Sequence, residues 1–172
     1  SVGITDSYMH DDATRILLAT IARIAAMHDK SMHPILALFD GHHVRVSVLL
    51  KRSKETASDW NKHIGYRIRS APYHFAKIPE GKYTGPMWTG PIFDRNIAGR
   101  MTIERAMELC CGSEDDYPED WNDEDIEHSK REIARTVRHI SESAELLSQD
   151  HLLVAIDDLG VCAGVGQIPS MK

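Results

Sequence analysis

The chain has 172 residues, 42% apolar and 27% charged, with a net charge of −6, which allows a sizeable core and is ordinary for a soluble protein. No window approaches the roughly 18 uninterrupted apolar residues of a membrane span, and the start, Ser1-Val2-Gly3-Ile4-Thr5-Asp6, lacks both Met and the regions of a signal peptide, so the chain reads as processed or as a fragment. Three cysteines without C-x-x-C spacing argue against a disulfide framework or zinc site; they are expected as small buried hydrophobes in a reducing cytoplasm.

Asp11 to His28 reads as a helix capped by Asp11 or Asp12. Ala13, Leu17, Leu18, Ile21, Ile24 and Ala25, widened by Ile16 and Met27, give it a broad apolar face suited to a layered domain. His33-Pro34 breaks the pattern, and Ile35 to Phe39, apolar without alternation, reads as a strand covered on both faces. After the Asp40-Gly41 turn, Val44, Val46, Val48 and Leu50 alternate as a strand with one buried face, and His43, Arg45 and Ser47 take the other. The strand empties into Lys51-Arg52-Ser53-Lys54. Helix, buried strand, turn and amphipathic strand resemble the last third of an α/β sheet, with partner strands expected before Ser1.

Lys54 to His63 reads as a short helix capped by Ser53 and ended by Gly65. Tyr66-Arg67-Ile68-Arg69 and Tyr73 to Ile78, separated by Ala71-Pro72, are expected in a small antiparallel sheet. Lys82 to Ile92, with two Gly-Pro pairs around Met87-Trp88, is a loop or an interrupted edge strand. Asp94 caps a helix to about Cys111, broken near Gly99, and an exposed acidic loop follows from Ser113 to Asp125. From Asp123 to Gln149, Ile126, Ile133, Ile140 and Leu147 recur every seven residues with Val137 and Ala144 between them. Such a narrow seam suits a helix lying on a sheet, with a coiled coil as the alternative. Leu152 to Ile156 reads as a short strand or turn, Asp157-Asp158 opens a short helix, and Ile168-Pro169-Ser170 opens another.

The charge is unevenly divided. Residues 1–113 carry 15 Lys/Arg against 11 Asp/Glu, a balance of +4, and residues 114–172 carry 5 against 15, a balance of −10. Lys51, Arg52, Lys54, Lys62, Arg67 and Arg69 fall within nineteen residues containing only two acids, Glu55 and Asp59. Such a patch suits a polyanion, with binding that weakens with salt; a solvated face is the alternative. Arg45 projects from the strand's polar side toward phosphate or toward an acid such as Asp40, and Arg15 and Arg23 read as surface or ion-pairing residues. Trp88 either stacks on a base or anchors a loop to the core. His42 and His43 are adjacent and point to opposite strand faces, so no metal site is expected there. The nine acids between Glu114 and Glu127 lack the spacing of a calcium loop.

Five stretches in register resemble the tRNA (guanine-N2) dimethyltransferases that modify guanine 26, the archaeal and eukaryotic Trm1-type family. They are His10-Asp11 with Arg15-Ile16-Leu17-Leu18-Ala19-Thr20-Ile21-Ala22-Arg23 and Ala25-Ala26; Pro34-Ile35-Leu36; His42-His43-Val44-Arg45-Val46; Gly85-Pro86-Met87-Trp88 with Gly90-Pro91; and Ile168-Pro169-Ser170-Met171-Lys172. The resemblance implies an α/β chain. Residues 1–52 would be the last helix and strands of a class I, Rossmann-like methyltransferase sheet, and residues 53–172 a small α+β C-terminal domain with a long amphipathic helix. It implies S-adenosylmethionine as cofactor of the full-length enzyme. The family's glycine-rich cofactor loop and Asp-Pro-type catalytic motif lie upstream, so no catalytic or cofactor-binding residue is assigned here and this piece alone is expected to be inactive. The implied partner is tRNA, with Arg45, Lys51, Arg52, Lys54, Lys62, Arg67, Arg69 and Trp88 as candidate contacts. Many relatives carry paired cysteines where Ser70-Ala71-Pro72-Tyr73-His74 stands, so no metal is implied. Two other readings stay open: a free-standing RNA- or DNA-binding module, and a regulatory domain that forms a homodimer through the 126–147 seam.

Overall fold

The structure, a computed structural model, describes residues 5–39, 41–69, 74–111, 113, 117–148, 158, 160 and 164. The chain divides into two compact units, Ser1–Ile92 with Asp150–Lys172, and Phe93–Gln149. The boundary expected at residues 52 and 53 falls inside the first. Asp40, the Ala71-Pro72 break with Tyr73, the Leu152–Ile156 strand and the helices at Asp157 and at Ile168–Ser170 lie outside the described residues.

Unit 1 contains helix α1 (Met9–Ala26), strands β1 (Lys30–Phe39) and β2 (Val44–Arg52), a 3-10 helix (Ala57–His63), and strands β3 (Ile64–Ile68), β4 (His74–Ala76) and β5 (Tyr83–Trp88). β1 and β2 form an antiparallel two-stranded sheet whose register runs from Phe39 opposite Val44 to Lys30 opposite Arg52. Pro34 does not end the strand: the register shifts between Pro34 and Leu36, and a bulge tolerates a residue that has no N–H to donate. The alternation of β2 holds from Val44 to Val48, half-buried valines between exposed Arg45, Ser47 and Leu49. Leu50 departs from it at 43% exposure, and β1 is not covered on both faces, since Phe39 is 37% exposed.

Helix α1 corrects two expectations. Its N-cap is Tyr8, without a side-chain capping bond, so neither Asp11 nor Asp12 caps it. Its buried residues are Asp12, Thr14, Arg15, Leu18, Ala19, Ala22 and Ala25, mostly spaced three and four residues apart, while Leu17 and Ile24, and Met27 just past its end, face outward. Apolar residues surround this helix almost completely, so hydrophobicity alone does not fix its rotation. Charge pairing does.

The second sheet of unit 1 is antiparallel in the order β4-β3-β5, the small sheet expected here. Gly65 lies within β3 rather than ending a helix. A Cβ there would meet the Ala76 carbonyl oxygen at 2.6 Å, so β4 approaches too closely for a side chain. The predicted 54–63 helix is reduced to the 3-10 turn from Ala57, preceded by the Ser53 hydroxyl accepting from the Thr56 N–H at 3.3 Å.

Unit 2 is helical. Asp94 accepts from the N–H groups of Asn96 and Ile97 at 2.8 and 3.2 Å and opens α2 (Arg95–Ala98), which stops at Gly99 as the sequence implies. Thr102 caps α3 (Ile103–Cys110). α4 (Asp123–Leu147) begins with a capping box between Asn122 and Asp125. Its seam packs against α2 and α3 rather than a sheet, burying Val137, Ile140 and Ala144. The small residues Ala98 and Gly99 let α2 close onto Ala144: a Cβ added at Gly99 would lie 3.8 Å from that of Ala144. Cys110 is exposed and Cys111 half-buried, so neither is the buried hydrophobe expected. Among the described residues, no helix is long and apolar enough to cross a membrane.

Candidate nucleic-acid interface

The open end of the β1–β2 hairpin gathers cations. Antiparallel pairing sets Lys30 directly opposite Arg52 and Ser31 opposite Lys51. Residues directly opposite share a face with Cβ atoms about 4.5–5.5 Å apart, so Lys30 and Arg52 are like charges held side by side. Lys54 follows within the turn, where the Ser53 N–H donates to the Asp29 carbonyl at 2.9 Å and fastens the chain across the strand ends. Lys30, Lys51, Arg52 and Lys54 are exposed and form no salt bridge among the described residues. Arg45 is exposed farther along β2. Lys62 pairs with Asp59 at 2.6 Å on the surface, which leaves its charge partly offset. Lys30 is absent from the sequence-derived candidates because the apolar run starts only at Ile35; the signal that finds it is the hairpin register.

Arg67, Arg69 and Trp88 go elsewhere. Arg67 has a fully buried side chain whose Nε donates to Asp12 at 2.7 Å and whose second arm meets Asp11. Arg69, its side chain 2% exposed, pairs with Asp6 at 2.7 Å and with Asp12, and its Nε donates to the Thr84 hydroxyl at 3.0 Å. Arg15 completes the cluster. It pairs with Asp11 at 3.0 Å and donates to the carbonyls of Trp88 and Gly90 at 3.1 and 3.2 Å. Aromatic faces seal the group: Tyr8 lies 5.0 and 5.2 Å from the guanidinium carbons of Arg67 and Arg69, and Phe75 lies 5.0 and 5.1 Å from those of Arg15 and Arg67. The Tyr8 hydroxyl donates to Asp158 at 2.6 Å. Three arginines and three aspartates thus neutralise one another, with Asp6 at the solvent edge and Arg15, Arg67 and Asp12 buried, and tie α1 to the β4-β3-β5 sheet. Trp88 is 3% exposed, its indole N–H donates to the Pro91 carbonyl at 2.8 Å, and its ring lies 4.7 Å from that of His63. It anchors the loop, and no face of it is open to a base.

The fold and this site define a mixed α/β chain with a cationic hairpin end carried on an internally neutralised scaffold. The model of the N2,N2-dimethylguanosine tRNA methyltransferases matches residues 1–114, and the chain belongs to that family. Among curated relatives, the tRNA (guanine(26)-N(2))-dimethyltransferase of Pyrobaculum neutrophilum is 33% identical over 88 residues, covering 51% of this chain and 25% of that protein. That of Methanospirillum hungatei is 31% identical over 125 residues, covering 63% and 33%. The fold is shared with Trm1 from Pyrococcus horikoshii, solved in complex with S-adenosyl-L-methionine, at a TM-score of 0.59 and 24% identity over 78% of this chain and 33% of that one. The chain therefore spans between a quarter and a third of the length of these relatives.

Proposed function

We infer that this chain is the tRNA-gripping part of a longer, cytoplasmic, S-adenosylmethionine-dependent tRNA (guanine-26-N2) dimethyltransferase. Residues 1–52 supply the last helix and strands of a class I methyltransferase sheet, and the residues that follow form the C-terminal domain. Family membership over residues 1–114 and the limited share of each relative support this division of labour. Exposed Leu17, Ile24, Leu49 and Leu50 on α1 and β2, with Met27 at the end of α1, are apolar area of the kind a larger sheet covers.

In this reading the cofactor is held by a part of the enzyme outside this chain. A dinucleotide-like ligand sits where a strand runs through a glycine-rich turn into a helix N-terminus. Here α1 precedes β1, Gly41 and Gly81 lie in exposed turns, and Gly65 and Gly85 lie within strands. No step of methyl transfer is assigned to this chain, and alone it is inactive.

The observation that carries the reading is the exposed group of Lys30, Lys51, Arg52 and Lys54 at one hairpin end. Modifying a guanine amino group requires the base to leave its stack, which costs a few kcal/mol that backbone contacts offset. Four cations at one hairpin end can supply such contacts without reading sequence. The test titrates tRNA at two salt concentrations against the chain and against a variant with Lys30, Lys51, Arg52 and Lys54 changed to Ala. Affinity should fall steeply with salt, and the slope of log affinity against log salt should drop by about one for each phosphate no longer neutralised. Binding that ignores salt, or a variant with unchanged affinity and slope, would discard the hairpin end as the grip.

A further inference from the structure

Unit 2 carries the acidic excess, and it concentrates beside a cleft. Between Tyr117 and Lys130 stand Glu119, Asp120, Asp123, Glu124, Asp125 and Glu127, with Lys130 the only Lys or Arg. A cleft of about 710 Å³ opens in this region, lined by Tyr117, Trp121 and Ile126 and by the carboxylate-bearing Glu119, Asp123 and Glu127. The rings of Tyr117 and Trp121 lie 6.1 Å apart at 32°, and Trp121 is 39% exposed. An aromatic face open to a cleft attracts a cation within about 6 Å of its centroid, and more so next to carboxylates. One ammonium is already accepted at the rim, where Lys130 lies 3.0 Å from Glu127. Asp125 is engaged in the α4 capping box, which leaves Glu119 and Asp123 to meet a visitor. The start of α4 carries only about half a positive charge, which six carboxylates outweigh. RNA is therefore repelled from this face, whereas a long cationic side chain suits it, with its alkyl stem along Ile126 and its head among the acids.

We propose that this cleft docks an arginine- or lysine-rich segment of a partner protein. The proposal does not depend on the tRNA reading. The test uses the full chain and a fluorescein-labelled, end-capped oligoarginine peptide followed by anisotropy. Saturable binding is expected, weakened about tenfold by Trp121→Ala and by Glu119→Gln. It should be largely retained in Trp121→Phe, which keeps a ring, and unchanged in Glu142→Gln, which removes the same charge from the far part of α4. An equal loss in Glu142→Gln would mean diffuse attraction to an acidic surface and would overturn the proposal, as would unaltered binding in the Trp121→Ala and Glu119→Gln variants or no saturation. Sedimentation showing self-association abolished by changing Lys51, Arg52 and Lys54 to Ala would overturn it in favour of a second copy of this chain as the occupant.

Discussion

Arg67 has no solvent exposure, and its guanidinium is divided between Asp11 and Asp12 under the rings of Tyr8 and Phe75. Removing one member of such a group strands the others, because a buried carboxylate without its partner keeps its desolvation penalty. Arg67→Ala should therefore lower stability by about 3–5 kcal/mol, read as a fall in the urea midpoint with little change in slope. Arg67→Lys should recover only part of it, since an ammonium cannot reach two carboxylates with a planar fork. Gly65→Ala should cost about 1–3 kcal/mol by pushing β4 away from β3, visible as weaker amide protection in His74–Ala76. At this scale the sequence is legible for charge and silent on destination. Arg67 and Arg69 are two apart and share a strand face, but nothing local shows that two adjacent aspartates on a helix, more than fifty residues earlier, lie against that face.

Elements defined by local rules are legible in the sequence. Asp94 and Gly99 bound α2, and the heptad spacing marks α4, because capping and periodicity act within a few residues. Asn122→Ala should accordingly weaken the start of α4 by about 1 kcal/mol, seen as faster amide exchange in Asp123–Glu127 with the Val137–Ala144 stretch unaffected. Elements decided by tertiary partners are not. α1 is apolar nearly all round, so the face with Asp12 and Arg15 is chosen by ion pairs and not by the hydrophobic pattern. β1 runs through Pro34 because its partner strand accommodates a bulge, information carried by β2 rather than by the proline.

At the scale of the molecule, the core is split between two compact units, one built around β-sheets and an ion cluster, the other, among the described residues, from α2, α3 and α4. A core lesion in one unit should leave the other standing. Ile140, 2% exposed, lies in the α4 seam, and Ile140→Ala should remove about 2–5 kcal/mol from unit 2. Hydrogen exchange should then show amides of Val137–Ala144 opening well before those of Tyr83–Trp88. Equal loss in both segments would mean that the two units unfold as one. The sequence signals a division of the chain through its charge, since the acidic excess begins near Glu114, but that shift marks composition and not the compact units, whose limits fall at Phe93 and Gln149.

The juxtaposition of Lys30 and Arg52 has a consequence for how the hairpin behaves when nothing is bound. Two cations forced abreast repel, so the last rungs of this ladder are the weakest and should breathe first. A polyanion laid across them removes the repulsion and knits the strand ends together. Occupancy of the proposed grip would thus be written into the stiffness of the hairpin's open end, and the slowing of exchange at Ser31 and Lys51 on adding tRNA would report it.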